Sequence, residues 1–347
     1  MFSNPMRSLR SMSSRVPLAG ALALAAAAAS LGGCAAMSNH RGDSGADALS
    51  AASASGGQTL RVVSFNVHLG EFLKYERDGH HASIERTFER DTRLRNADII
   101  GLQELCSDEG GWQLDYFNRV IHDTANSGYM ATALADPVNK TMCARVEAIY
   151  SRYPIVDQGV ITLPQVFEPR SAVWADIDVP NANGQGTTRV RVYNAHLENR
   201  PQNMSWEEGR LKQIRVVLAH VDAWRAAHPG EPLILLGDLN TVGRIWDPWR
   251  REATIKTIEG DKLSPSIKGY ARTLTFTPHQ IDWIFFNDQL ALKHSEVVGV
   301  WLSDHFPLVA DFTLTPSTKV VSEQALAPAP APSTSTGSMA GMGASAR

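Results

Sequence analysis

Cysteine is scarce in this chain: Cys34, Cys106 and Cys143 are the only three in 347 residues, with no CxxC pair and no Cys/His cluster. That argues against a structural zinc held by thiolates. Basic charge is not in excess either, with 33 Lys and Arg against 36 Asp and Glu. The global cationic surface by which nonspecific DNA binders displace counterions is therefore missing, although a local basic cleft is still allowed. The one long apolar run, Val16 to Leu31, is mostly alanine and short for a membrane span. No repeat of solenoid length is visible. What is present is an apolar content of 43%, enough to build a real core.

The alanine run follows Arg7, Arg10 and Arg15 with no acidic residue between, the pattern of a secretory signal over residues 1–33. Its removal takes away only basic charge and leaves the mature chain more acidic. It ends in Leu31-Gly32-Gly33-Cys34, which resembles the lipobox of bacterial lipoproteins; a lipidated Cys34 would hold the protein at a membrane surface without spanning it. The alternative is a small-residue cleavage site with an incidental cysteine, giving a periplasmic or secreted protein. Cys106 and Cys143 then either pair in an oxidising compartment or stay as buried free thiols. Residues 34–58 are poor in large apolar side chains and read as a tether, and residues 316–347, rich in Ala, Pro, Ser and Gly, read as a disordered tail. The folded part is 59–315.

Inside it, short β-rich runs alternate with helical stretches, which favours an α/β layered architecture. Strands are expected at Leu60–Val67, Asp98–Leu102, Ala148–Tyr150, Ala172–Ile177, Val190–Ala195, Leu233–Leu236, Ile281–Phe286, Val297–Val300 and Leu308–Leu314. Helices are expected at Ser83–Asn96, Trp112–Ala125 and Trp206–Ala227, the last with Leu211, Ile214, Val217, Leu218 and Val221 near a 3.6-residue period.

Polar residues able to bind metal or move protons recur just past these apolar runs, where a sheet delivers side chains to a shared rim. They are Asn66 and His68 after Val63-Ser64-Phe65, Glu104 after Ile99-Ile100-Gly101-Leu102-Gln103, and His196 in Asn194-Ala195-His196-Leu197. Further on come Asp238 and Asn240 after Leu235-Leu236-Gly237, Asp282 before Trp283, and the pair Asp304-His305. Singly, each has a plain structural explanation: a turn asparagine, a helix N-terminal charge, a core histidine, a buried partner of an arginine.

Together, in the order Asn, Glu, His, Asp-x-Asn, Asp, Asp-His, they resemble the endonuclease/exonuclease/phosphatase superfamily of deoxyribonucleases, abasic-site endonucleases, sphingomyelinases and inositol polyphosphate phosphatases. The resemblance runs from Leu60 to about Leu314. It implies a deoxyribonuclease-I-like four-layer α/β sandwich, two packed mixed sheets flanked by helices, and a divalent-metal-dependent hydrolase of phosphoester bonds. Glu104 would be the principal metal ligand, with Asn66 and Asp304 as further oxygen donors. The ion would be Mg²⁺, with Mn²⁺ or Ca²⁺ able to substitute. Asp238 would orient or deprotonate the attacking water, Asn240 would hold the phosphate, and His305, fixed by Asp282, would donate to a non-bridging oxygen or act as the base. The resemblance does not divide these roles between Asp238 and His305. His196 resembles the second histidine of the deoxyribonuclease and sphingomyelinase branches, and Glu147 is placed like the carboxylate that pairs with it. Arg170 stands where it would either reach the phosphate or form a surface salt bridge, and Arg210 and Gln213 would support the loop carrying His196.

The substrate class stays open at this level. A nuclease would use flanking bases, for which Lys140, Arg145, Arg152, Arg170 and Arg200 are candidates. A hydrolase of phospholipid head groups or other small phosphoesters would use the apolar Ile245, Trp246 and Trp249 at an interface. A phosphomonoesterase and a non-catalytic binding lipoprotein retaining the fold are the further alternatives. Nothing in the sequence calls for an obligate protein partner.

Overall fold

A computed structural model describes residues 57–68, 90–107, 129–136, 144–199, 206–241, 252–269, 271–300 and 303–314. The leader, Cys34, the tether up to 56, the tail and the helix expected at Trp112–Ala125 lie outside the described residues. So do Lys140, Cys143, Arg200, Ile245, Trp246 and Trp249. No helix among the described residues is long and apolar enough to cross a membrane.

Two six-stranded sheets form the architecture. The first contains β1 (Gln58–Asn66), β2 (Ile99–Ser107), β3 (Tyr129–Asp136), β4 (Ala144–Ser151), β11 (Leu290–Val297) and β12 (Leu308–Leu314), in the order β11-β12-β1-β2-β4-β3. The second contains β5 (Ile155–Thr162), β6 (Ser171–Pro180), β7 (Thr187–His196), β8 (Leu233–Asp238), β9 (Ser264–Pro265) and β10 (Asp282–Phe286), in the order β5-β6-β7-β8-β10-β9. Each is mixed in the same way: β1 and β2 run parallel in one, β7 and β8 in the other, and the other neighbouring strands are antiparallel. A parallel pair cannot be joined by a tight hairpin and needs a crossover; α2 (Trp206–Ala227) supplies it between β7 and β8. The helix begins and ends where the sequence places it.

Burial follows the two-residue alternation of a strand. Leu60 and Val62 of β1, Val190 and Val192 of β7, Ile234 and Leu236 of β8 and Ile284 of β10 meet in the core between the sheets. Their sequence neighbours face outward, Val63 and Phe65 into a layer over the first sheet, and Leu233, Leu235 and Phe285 against α2 and α3 (Ala253–Gly260). Strands buried on both faces read as continuous apolar runs, which is why β1, β8 and β10 were legible.

Three expectations need correction. The strand expected at Val297–Val300 ends at Val297; the ladder occupies the preceding polar stretch, whose exposed Lys293 and His294 hide it as an edge strand. Of the helix expected at Ser83–Asn96, residues 83–89 lie outside the described residues; Arg90 is helical, and Asp91 interrupts the helix and starts a new turn, α1 (Thr92–Arg95), its side chain accepting from the Arg93 amide. Arg152 sits at the end of β4 remote from Arg145 and pairs with Asp98 at 3.2 Å, so it does not flank the site.

Candidate active site

The inward-facing rows change character along their length. On β1 the series Leu60, Val62 continues as Ser64 and Asn66; on β7 Val190, Val192 continues as Asn194 and His196; on β8 Ile234, Leu236 continues as Asp238. Because β1, β2, β7 and β8 form the two parallel pairs, their C-terminal ends bring Asn66, Glu104, His196 and Asp238 to one end of the sandwich. The antiparallel neighbours supply their beginnings there: Asp282 opens β10 opposite Asp238, and Asp304-His305 precede β12. One end of the inter-sheet space is thus polar, and it is buried.

Glu104 needs an extra device. By alternation from Leu102 and Gln103 it would point outward, yet the β2–β4 register shifts between Leu102 and Leu105 and Glu104 takes φ 55. A bulge of this kind re-aims a side chain at the cost of local strain. It brings Oε1 of Glu104 to 3.7 Å from Nε2 of His196. Gly101 permits the sheets to close beneath, since a Cβ there would lie 2.1 Å from Cδ1 of Leu236. A polar layer sits under the site: Gln103 Nε2 donates to Asn194 Oδ1 at 2.7 Å, and Asn194 Nδ2 donates to the carbonyls of Leu102 and Ala148.

One half of the site is built on His305. Its Nδ1 faces both oxygens of Asp282 at 2.9 and 3.0 Å, and its Nε2 lies 3.8 Å from Oδ2 of Asp238. Thr273 Oγ1 accepts from the amides of Ile281 and Asp282 and fixes the strand start. Burial alone would discharge the imidazole, but the charge and hydrogen bond of Asp282, with Asp238 and Asp304 beyond, raise it to about 10. Burial pushes the Asp238 carboxyl up to about 7; Asp282 adds to this and His305 opposes it. Asn66 Nδ2 donates to Asp238 Oδ2 at 3.0 Å and the Asn240 amide to its Oδ1 at 2.9 Å. The Asn240 side chain, on a residue with φ 48, donates to the Leu197 carbonyl at 3.0 Å. Asp304 is held at 3.1 Å by Nδ1 of His68; burial would raise its carboxyl, and His68 and His305 more than offset that, leaving it below the usual range.

The other half is built on His196. Arg170, fully buried, places Nη1 2.9 and 3.0 Å from the two ring nitrogens, so the nitrogen it donates to must be unprotonated. Burial, with Arg170, Arg145 and His305 nearby, drives His196 well below its ordinary value. Glu147 Oε1 stands 3.4 Å from His196 Nδ1, and neither oxygen of Glu147 has a hydrogen bond. Burial pushes Glu147 up to about 8 against the pull of Arg170. The distance would suit an ion pair, but at neutral pH these are two neutral groups. The pair has a consequence for stability. Glu147 holds its proton in the folded chain and loses it in the unfolded chain between pH 4.5 and about 8, so folding weakens as pH rises through that window. Glu147→Gln is expected to flatten the dependence and to stabilise the protein above pH 8 by on the order of 2–4 kcal/mol. Urea melts in EDTA from pH 5 to pH 9 would read it, and a variant with wild-type slope would count against a protonated Glu147.

The residues expected to bind metal, hold the phosphate or move protons are therefore drawn to this end of the sandwich, Arg170 as a buried group and not a surface pair. Gln213 accepts from the Glu198 amide and donates to the Pro164 carbonyl behind His196, while Arg210 pairs with Glu252. Sequence reasoning missed Glu168, Asn194 and Gln103 as parts of the site; a polar residue inside an otherwise apolar strand was the available signal for the last two.

Even with Glu147 protonated, carboxylates outnumber cations here: Glu104, Glu168, Asp238, Asp282 and Asp304 against Arg145, Arg170 and His305. Such a surplus, with oxygen donors from Asn66, Glu104 and Asp304, fits a hard divalent cation. Asp238, Asp282 and His305 also bring ligand atoms within 4.8 Å of one another. With Nδ1 of His305 committed to Asp282, that trio is better arranged to pass protons than to cage an ion.

The Endonuclease/Exonuclease/phosphatase family model matches residues 63–305. No curated protein matches the sequence. Among solved structures, the human Nocturnin catalytic domain with bound sulfate is similar over 74% of this chain and 94% of its own, at TM-score 0.58 and 19% identity. A mannosyl-6-phosphatase from Bacteroides thetaiotaomicron covers 73% and 99% at 0.55 and 18%. D. rerio TDP2 in complex with single-strand DNA product covers 74% and 99% at 0.51 and 18%. At these identities the likeness is one of fold.

Proposed function

The chain belongs to the endonuclease/exonuclease/phosphatase family, generally hydrolases of phosphoester bonds, and we propose that this member is a phosphodiesterase that activates water with Asp238 and grips the reacting phosphoryl group with His305. The observation that supports this division is the buried line Asp282, His305, Asp238. An imidazole held in its charged form by Asp282 is a poor base near neutrality, whereas a carboxyl raised by burial is suited to exchange a proton there. The water oxygen forms the new bond to phosphorus as its proton passes to Asp238. The ester bond in line with it breaks, and the leaving oxygen is protonated from solvent. Asp282 keeps Nδ1 of His305 occupied so that Nε2 points its proton at a non-bridging oxygen. Asn240 and Arg170 bound the phosphate, and neutral His196 positions Arg170 and takes no proton. Asn66, Glu104 and Asp304 would hold a divalent cation, Mg²⁺ by preference with Mn²⁺ or Ca²⁺ as substitutes, which when bound supplies positive charge to the phosphoryl oxygens.

The family fold serves more than one ester class, since one neighbour is a mannosyl-6-phosphatase and another is complexed with single-strand DNA product. The carboxylate surplus favours a singly charged diester for this chain, whether nucleic acid, phospholipid head group or smaller. The purified protein should cleave bis-p-nitrophenyl phosphate in Mg²⁺ and not in EDTA, with plasmid DNA and sphingomyelin choosing the natural class. Metal-independent inertness toward all three, with p-nitrophenyl phosphate equally untouched, would overturn the reading in favour of a binding protein.

A further inference from the structure

Glu168 lies in no strand-end motif, yet it touches both arginines of the site. Its Oε2 accepts from Nη1 of Arg145 and, at 3.1 Å, from Nη2 of Arg170. The turn that carries it is fixed from behind: the amides of Phe167 and Glu168 donate to Oε2 of Glu198 at 3.1 and 3.0 Å, and the Glu198 amide donates to Gln213 of α2 at 2.8 Å. Pro169 then limits the backbone before Arg170. The Glu168 side chain is 24% exposed and that of Arg170 is 1% exposed, so of this pair it is the carboxylate that meets solvent. Arg170 in turn reaches His196, whose Nε2 is 3.5 Å from Asp238. A phosphoryl oxygen that approaches either arginine must do so beside a fixed negative charge.

Resting on the reading that this site hydrolyses phosphoesters, we infer that Glu168 is a specificity-determining residue, a charge filter that favours singly charged phosphodiesters over dianionic phosphomonoesters. The physics does not depend on the other charges. Removing one carboxylate changes the potential at the phosphate by a fixed amount, and a dianion gains twice what a monoanion gains from that change. Only the ratio between the two substrate classes isolates it.

Glu168→Gln keeps the shape and an oxygen acceptor for the arginines while deleting the charge. At pH 8 a monoester is a dianion, its second pKa being about 6, and the variant should raise kcat/KM for p-nitrophenyl phosphate relative to bis-p-nitrophenyl phosphate by about tenfold, or ~1.4 kcal/mol. At pH 5, where the monoester carries one charge, the change in ratio should largely disappear. A role confined to holding the arginines in place would lower both substrates together and leave the ratio alone, which overturns the proposal. Calorimetry with inorganic phosphate and dimethyl phosphate reads the same filter without turnover: phosphate should gain about tenfold over dimethyl phosphate in the variant. If wild-type protein turns over neither ester, the hydrolase reading fails and the two anions still decide on Glu168. An equal change for both anions, or binding of neither in either protein, overturns it.

Discussion

His305→Ala should lower kcat on a diester by about 10³-fold, within the range for losing a positioned proton donor in a buried site, with little change in KM. The structural reason is that Nε2 faces the reaction space while Nδ1 is engaged by Asp282 at 2.9 Å. The variant also removes the positive charge that holds Asp238 down, so the acid limb of its residual pH–rate profile should move to higher pH. Asp282→Asn offers a graded companion, since the amide can still accept from Nδ1 but no longer stabilises the imidazolium. A stability effect of defined sign accompanies this. His305 gains its proton more readily in the folded chain, so its contribution is complete below pH 6.5 and is lost as pH rises through about 10. An unchanged kcat in His305→Ala would remove the imidazole from the mechanism, and a fall in rate with an unmoved acid limb would separate it from Asp238.

How far such a site can be read in a sequence depends on what fixes each residue. Asn66, Asp238 and Asp282 end or begin apolar runs buried on both faces, and a parallel pair must present its strand ends together, so their convergence follows from pattern and topology. Glu104 was legible as a residue and not as a geometry, because its aim depends on a bulge that alternation does not predict. β5 and β11 escaped notice for the reason edge strands usually do. Val156 and Val160 of β5 are 47% and 51% exposed, Gly159 interrupts the run, and β11 turns Lys293 and His294 to solvent. Glu168 had no signal at all, since its role is set by the meeting of a turn with Arg145 on the opposite sheet. That contact is a property of how two sheets pack, and local periodicity carries no information about it.

Glu104→Gln should lower kcat/KM in Mg²⁺ by at least about 100-fold and raise the Mg²⁺ concentration needed for half-activation by at least about tenfold, the scale on which lost metal contacts act. Charge matters at Glu104 as much as ligation. Glu104 approaches His196, a neutral histidine, and its carboxylate lies in a group where Glu147 and Asp238 are already pushed toward protonation by burial. A site that strains to shed negative charge has a use for a cation, and Glu104, part-exposed on a backbone with φ 55, is placed to meet it. The amide variant keeps the shape and one oxygen donor and removes the charge, so rate should recover in part at high Mg²⁺. A second reading needs no turnover: a bound ion stabilises the fold by mass action, so Mg²⁺ should raise the wild-type melting temperature and raise that of the variant much less. Equal Mg²⁺ stabilisation of the two proteins would move the ion away from Glu104 and toward the trio of Asp238, Asp282 and His305. In that case the same melts on Asp282→Asn would lose the Mg²⁺ response, and His305 would have to be reassigned from phosphate grip to metal ligand.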